Sequence, residues 1–502
     1  VWHCSPSATF VEEEVVRWLC DLVGYGEGSF GLFTSGGVMA NIMSMNVARD
    51  VHLRRVRGLD GPPRGVDLTA ARVYVSDQAH FSIKRSLDTL GFPEGTIVKV
   101  PADGMLRLQA APVAEAIARD RDAGLIPFAI VATAGTTNTG AVDALPDLAD
   151  VAEREGLWLH VDAAYGGAAR LSERLASLVD GLDRADSITI DPQKWFFQAY
   201  DIGGMLIRDG SLLERVFSYR PEYYRGSGDP TRAPDAHSEE LDFYRLSIEG
   251  TRRQRALKLW LSWKHLGTGG LGRLVEKTVD LAEALKARLR ASDDFELAEE
   301  SNLSVVCFRH LPRGASEGDE AGRDAVDVHQ DTVQSALQLS GRSFLTTTRL
   351  RGRTWLRAGL LHHTATEGVL RPRLVGVAIG QVAEADDREV RFLGQLEVVG
   401  RAHLGLERLR EVDRLLYQPA QAGRAQVLPR HPQLQGALTS RALDAHAVEV
   451  ELFGVRVRGA GRVARAAVVL GPVGEDLLQQ RAVAHQQPPD VVGLEEPLLR
   501  VD

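Results

Sequence analysis

Lys194 stands in the segment Asp191-Pro192-Gln193-Lys194-Trp195, directly after the apolar run Ser187–Ile190. A lysine at a strand end, flanked by Pro192 and the apolar Trp195, Phe196 and Phe197, sits in a partly desolvated place. Burial disfavours the ammonium form and lowers its pKa, which is what a lysine that forms Schiff bases requires. A surface lysine on a loop carries the same residues, so Lys194 needs partners. Asp162 lies 32 residues upstream, in His160-Val161-Asp162-Ala163-Ala164-Tyr165, after the run Leu157–Val161. A carboxylate at the carboxyl edge of a sheet faces the region where open α/β folds bind ligands. There it can hold a pyridine nitrogen protonated, although an aspartate in this place also suits a helix N-cap. The small Ala164 leaves room for a flat ring.

Three further segments have the same setting. Thr34-Ser35-Gly36-Gly37-Val38 leads into an apolar helical run, so backbone N–H groups and a helix dipole face an incoming anion. It lacks the lysine of a nucleotide P-loop and reads equally as a tight turn. His80 follows the run Ala71–Val75 and can stack on a ring face. Ala134-Gly135-Thr136-Thr137 follows Phe128–Ala132 and offers hydroxyls. An anion cradle, a stacking ring, hydroxyls, a carboxylate and an amine are together the requirements of pyridoxal 5′-phosphate.

The elements that must position these residues are short buried strands alternating with helices. Ala71–Val75, Phe128–Ala132, Leu157–Val161 and Ser187–Ile190 read as strands; Val113–Arg121 and Leu145–Glu155 read as helices, the latter with Pro146 in its first turn. Such alternation predicts an α/β domain over residues 1–255, with a mostly parallel sheet and helices on both faces. Helices at Ala256–His265 and Gly272–Arg290, strands at Ser304–Arg309 and Thr354–Leu361, and a helix at Val326–Leu339 predict a smaller α+β domain over 256–370. Residues 371–502 contain no Lys, Asn, Cys, Met or Trp. Two readings of this stretch stay open: a genuine, poorly packed or disordered extension, or a shifted reading frame in GC-rich DNA. Only Leu404–Leu416 in it has helical periodicity.

The whole chain has 502 residues, 44% hydrophobic and 25% charged, the composition of a globular protein. Its net charge of −9 argues against a nucleic-acid partner. No apolar run reaches the ~18 residues of a membrane span. Three cysteines, Cys4, Cys20 and Cys307, are too few for a disulfide framework, which points to the cytoplasm. The chain starts at Val1 without a charged-then-apolar leader and reads as a fragment or a processed chain. Glu12–Glu14 reads as a solvated helix start, Trp18, Trp260 and Trp263 as packing residues, and His310, His362 and His363 as no metal set.

On these segments the chain resembles the group II pyridoxal-phosphate decarboxylases, nearest the aromatic-L-amino-acid branch. Ser5–Thr9, Ala123–Phe128, Asn302–Arg309 and Gly352–Arg357 match as well, and the resemblance runs from Val1 to about Glu367. It implies a fold type I large domain and decarboxylation of an L-amino acid by a homodimer. By the same resemblance Lys194 holds the cofactor aldehyde, Asp162 pairs with the pyridine nitrogen and His80 stacks on the ring. Gly36, Gly37 and Val38 line the phosphate with Asp191 nearby, and Thr137 and Ala164 touch the ring region. Tyr223, or its neighbour Tyr224, returns a proton to the substrate. Three positions depart from the family pattern. Val38 replaces a usual Ser or Thr, Gln193 a frequent His, and Thr364 an Arg, for which His362 or His363 can substitute. The amino-terminal segment that wraps the partner subunit in this family would precede Val1. Glutamate, diaminobutyrate or sulfinoalanine as substrate, transamination, and a non-catalytic homologue are the competing expectations.

Overall fold

The computed structural model describes residues 5–218, 243–298, 303–312, 318–339 and 344–366, and the backbone of three strands between 448 and 470. The chain opens with α1 (Pro6–Val23), β1 (Phe30–Thr34) and α2 (Gly37–Val47), which runs through a π-helical turn into the short α3 (Arg54–Val56). Then follow β2 (Ala71–Ser76), α4 (Phe81–Thr89), β3 (Ile97–Val100), α5 (Ala110–Asp122), β4 (Ile126–Thr133), α6 (Leu145–Glu155) and β5 (Trp158–Asp162). β6 (Ser187–Ile190), β7 (Gly203–Ile207) and α7 (Ser211–Phe217) complete this part.

Seven strands form one sheet in the order β1-β7-β6-β5-β4-β2-β3. All neighbours from β6 to β3 are parallel, and β7 runs antiparallel between β6 and β1. The strands are apolar on both faces because both are covered: Phe128, Ala129, Ile130, Val131 and Ala132 are all fully buried. α6 shows how the helices are specified. Pro146 sits in the first turn, Gly156 ends the helix in the left-handed region, and Leu148, Ala149, Val151 and Ala152 face the core. The carboxyl ends of β1, β2, β4, β5 and β6 therefore lie along one edge, the expected ligand edge of such a sheet.

α8 (Ala256–Arg290) is helical on both sides of a break at Gly267, whose φ of 67° and ψ of 169° interrupt it. The two helices expected here thus meet at one glycine. β8 (Phe295–Ala298), β9 (Val305–His310), α9 (Glu320–Leu339), β10 (Thr346–Leu350) and β11 (Arg353–Gly359) follow. Their antiparallel sheet, in the order β10-β11-β9-β8, packs Val306, Phe308 and Leu356 against Val333 and Leu337 of α9 and Ala282 of α8. α9 begins six residues before the apolar periodicity does, because its first turns are polar. All described residues up to 366 belong to one compact unit. In a second unit, β12 (Val448–Leu452), β13 (Val455–Gly459) and β14 (Ala467–Leu470) form an antiparallel meander. The periodic stretch Leu404–Leu416 and Cys4 lie outside the described residues.

One expectation is corrected. Glu12–Glu14 is not a helix start, since α1 begins at Pro6, and while Glu13 and Glu14 are partly exposed, Glu12 is only 5% exposed. Glu12 accepts hydrogen bonds from the Phe33 N–H (3.0 Å) and Arg252 Nη1 (2.7 Å). Glu14 accepts from Trp260 Nε1 (2.6 Å) and Lys264 Nζ (2.7 Å). Cations and a backbone donor reached from other elements make this burial tolerable. Trp18 and Trp263 do pack together, their ring centroids 5.5 Å apart.

Candidate active site

β6 ends at Ile190, and the turn Asp191–Lys194 carries the site's amine. Trp195 and Phe196, just beyond, are buried and anchor the turn, while the Lys194 side chain remains 37% exposed. Its Nζ lies 3.1 Å from Asp191 Oδ2. The other oxygen, Asp191 Oδ1, is buried without a hydrogen-bond partner among the described residues. Burial pushes the Asp191 carboxyl above its ordinary range, opposed by the charge of Lys194 and by the Gly37 N–H.

The Asp191 carboxylate abuts the glycine turn between β1 and α2. A Cβ on Gly37 would sit 2.8 Å from Asp191 Oδ2. On the other side, a Cβ on Gly203 would sit 2.5 Å from the backbone of Gly36. Only hydrogen fits at either position, so the turn packs directly against the Asp191 carboxylate on one side and β7 on the other. Gly36 is the N-cap of α2, with no side-chain cap, and Val38 follows half-buried in the first turn. Gln193 Oε1 accepts from the Ile202 N–H (2.9 Å), which holds its amide beside Gly36.

Asp162 closes β5. Its Oδ1 accepts from the Ala164 N–H (3.2 Å), and its Oδ2 accepts from Asn41 Nδ2 (3.1 Å). Its N-cap-like bond and its place at the sheet edge thus coexist. Asn41, fully buried in α2, also donates to Ser82 Oγ (2.8 Å), and Ser82 Oγ lies 2.8 Å from Nδ1 of His80. His80 caps α4 and is half-buried. Burial lowers its pKa; the charge of Asp162 opposes this and that of Lys194 adds to it. Thr137, exposed at the end of β4, is followed by Asn138, which accepts from Thr348 Oγ1 (3.0 Å) and Arg357 Nε (3.1 Å) of the second sheet. Thr136 is buried and holds the turn through Thr139 Oγ1 (3.0 Å).

The residues singled out from the sequence therefore stand on neighbouring strand ends of one sheet. Tyr223 and Tyr224 lie outside the described residues. Thr364 Oγ1 lies 2.8 Å from His362 Nδ1, and His363 approaches Phe197 with ring centroids 6.3 Å apart. Asn41 and Ser82 carry no role in the sequence reading. Their signal was one amide in the otherwise apolar run Val38–Met43, a buried polar group that must be satisfied.

A lysine–carboxylate pair, a second carboxylate and a glycine-opened helix at the carboxyl edge of a mostly parallel sheet define a fold type I pyridoxal-phosphate enzyme. A model of the pyridoxal-dependent decarboxylase conserved domain matches residues 1–311. The chain is 36% identical over 371 residues to an aromatic-L-amino-acid decarboxylase of Bacillus atrophaeus, covering 74% of this chain and 73% of that one. It is 33% identical to an acidic amino acid decarboxylase of Mus musculus, covering 64% of this chain and 56% of that one. The crystal structure of Oryza sativa TDC with PLP and tryptamine superposes with a TM-score of 0.69 at 29% identity, over 76% of this chain and 78% of that one. The chain belongs to the pyridoxal-dependent decarboxylases, carboxy-lyases that act on amino acids with pyridoxal phosphate as cofactor.

Proposed function

We propose that the chain decarboxylates an aromatic L-amino acid to its amine and CO2, with Lys194, Asp162, His80 and Tyr223 as its catalytic groups. The observation that carries this is the Lys194–Asp191 pair against the Gly36–Gly37 turn, with Asp162 on the next strand. When bound, pyridoxal phosphate supplies a conjugated, protonated ring that takes up the electron pair left by the departing carboxylate.

The chain's own residues do the rest. Lys194 Nζ must shed a proton to become a nucleophile, and Asp191 Oδ2 at 3.1 Å is placed to receive it. Gly36, Gly37 and Val38 offer the phosphate backbone N–H groups at the start of α2; Val38 gives one hydroxyl fewer than Ser or Thr would. Asp162 holds a proton at the ring nitrogen as an ion pair, a stabilisation that grows with charge in the transition state. The His80 imidazole, neutral through burial, covers a ring face and excludes water. Thr137 and Ala164 border the ring, the latter without side-chain bulk. Tyr223 returns a proton to the substrate Cα.

The aromatic class is supported by the Bacillus atrophaeus relative and by Phe81, whose ring is 57% exposed and 4.2 Å from that of His80. Release of CO2 from a panel of aromatic, acidic and diamino acids tests this class. Aromatic substrates should lead in kcat/KM by at least about 10-fold; a lead for glutamate, sulfinoalanine or diaminobutyrate contradicts it. We further propose a cytoplasmic homodimer. Its support is two buried cysteines outside any disulfide, Cys20 and Cys307, and the apolar Phe10, Leu257 and Leu261 exposed on the packed pair α1 and α8. No helix among the described residues is long and apolar enough to cross a membrane.

A further inference from the structure

We propose that Asn41 is a positioning residue that sets Asp162 and His80 together: one buried amide holds the carboxylate directly and the imidazole through Ser82. The proposal rests on the reading of Asp162 and His80 given above and adds what fixes them.

All four hydrogen-bonding capacities of the Asn41 amide are used. Nδ2 donates to Asp162 Oδ2 (3.1 Å) and Ser82 Oγ (2.8 Å). Oδ1 accepts from His160 Nε2 (3.0 Å) and Thr189 Oγ1 (2.5 Å). The orientation is forced, because a flipped amide would turn its oxygen onto the Asp162 carboxylate. Proton positions then follow around the network. His160 carries its hydrogen on Nε2, so its Nδ1 accepts from Ser187 Oγ (2.9 Å), which in turn accepts from Trp158 Nε1 (3.0 Å). Ser82 Oγ accepts from Asn41, which leaves its own hydrogen for His80 Nδ1 (2.8 Å). His80 therefore keeps its remaining hydrogen on Nε2. Asn41, Ser82, His160, Ser187 and Thr189 are each at most 1% exposed, so no water competes for these bonds.

The network joins α2, α4, β5 and β6, so the carboxylate and the imidazole cannot shift independently. Each Asp162 oxygen accepts one internal donor, and each retains a lone pair for an external N–H.

The test uses cofactor-loaded enzyme and Asn41→Ala and Asn41→Asp, each alone and combined with Asp162→Asn. In the wild-type background each change should lower kcat by about 10- to 100-fold, as for a lost hydrogen bond to a charged group, with KM nearly unchanged. In the Asp162→Asn background the same change should cost several-fold less, because only the hold on His80 through Ser82 is then left for it to remove. Asn41→Asp keeps the acceptor for His160 and Thr189 and replaces only the donor, so it remains informative if the alanine variant fails to fold. Its loss should shrink as pH falls from 8 to 6, where one of two facing carboxyls takes a proton and restores the hydrogen bond. Its affinity for pyridoxal phosphate, titrated by absorbance, should weaken most at high pH. Equal losses in both Asp162 backgrounds, or a pH-independent loss, overturn the proposal. If Asp162→Asn alone changes neither the visible cofactor band nor kcat, the active-site reading itself is wrong and this proposal falls with it.

Discussion

In the proposed site Asp162 and Lys194 divide the chemistry at the scale of single residues: one would hold a proton on the cofactor, the other would lose one. Asp162→Asn removes the charge but keeps the shape, so its penalty should fall on kcat, by about 100-fold or more. Steady-state kinetics check this, and a pure KM effect would contradict it. Tyr223→Phe should divert product from amine towards aldehyde, read by chromatography of the reaction mixture; unchanged amine output would remove Tyr223 from its role. Asp162 and Lys194 stood out in the sequence because each is a chemically distinctive type next to an apolar run that had to be a strand. Asn41 and Ser82 were not, because a hydrogen-bonding hub is a property of packing. Nothing local to Val38–Met43 says that the amide meets Asp162, 121 positions further along the chain.

The individual strands and helices were legible in proportion to their burial. α6 stands at the bounds its periodicity, Pro146 and Gly156 imply. β7, with Gly203 and Gly204, and β10, which begins Thr346-Thr347-Thr348, lack the apolar pattern and were missed. β7 needs its glycine for a reason only the pairing shows, since Gly203 lies against Gly36. Gly203→Ala should therefore destabilise the fold by about 1–3 kcal/mol and weaken cofactor binding, as measured by thermal melting and by absorbance titration. An unchanged Tm would contradict the close packing of β7 on the glycine turn.

His160 ties β5 to α2, and burial holds its pKa at about 4, well below its ordinary value, with the charge of Asp162 opposing. The unfolded chain takes up this proton near pH 6.5, while the folded one refuses it until about pH 4. The neutral ring's contribution is thus complete above pH 6.5 and falls, by roughly 3 kcal/mol in all, as pH drops through that window. The Asp143 carboxyl, pushed up by burial to about 7, acts in the opposite sense, so the difference between variants is the informative quantity. The deficit in Tm of His160→Gln relative to wild type should shrink between pH 7 and pH 5; a constant deficit would contradict this account.

At the scale of the whole molecule, the sheet order brings five strand ends to one edge, four of them adjacent and that of β1 beyond the antiparallel β7, and the proposed chemistry is a consequence of that edge. The α/β class was readable from alternation alone. The order β1-β7-β6-β5-β4-β2-β3 was not, since it depends on long-range pairing. Light scattering should give twice the chain mass of 54.8 kDa if the exposed apolar residues of α1 and α8 meet a second copy; a monomer at micromolar concentration would contradict the homodimer. The central claim is that Lys194 holds pyridoxal phosphate and that Asp162, Asp191 and His80 make it a decarboxylation site. The most direct measurement is the absorbance spectrum of the purified chain with added pyridoxal phosphate, beside Lys194→Ala, followed by CO2 release from aromatic amino acids. The account predicts a visible band and CO2 release in the wild type, both lost in the variant. A wild type without the band, or a variant that retains it together with turnover, would contradict it.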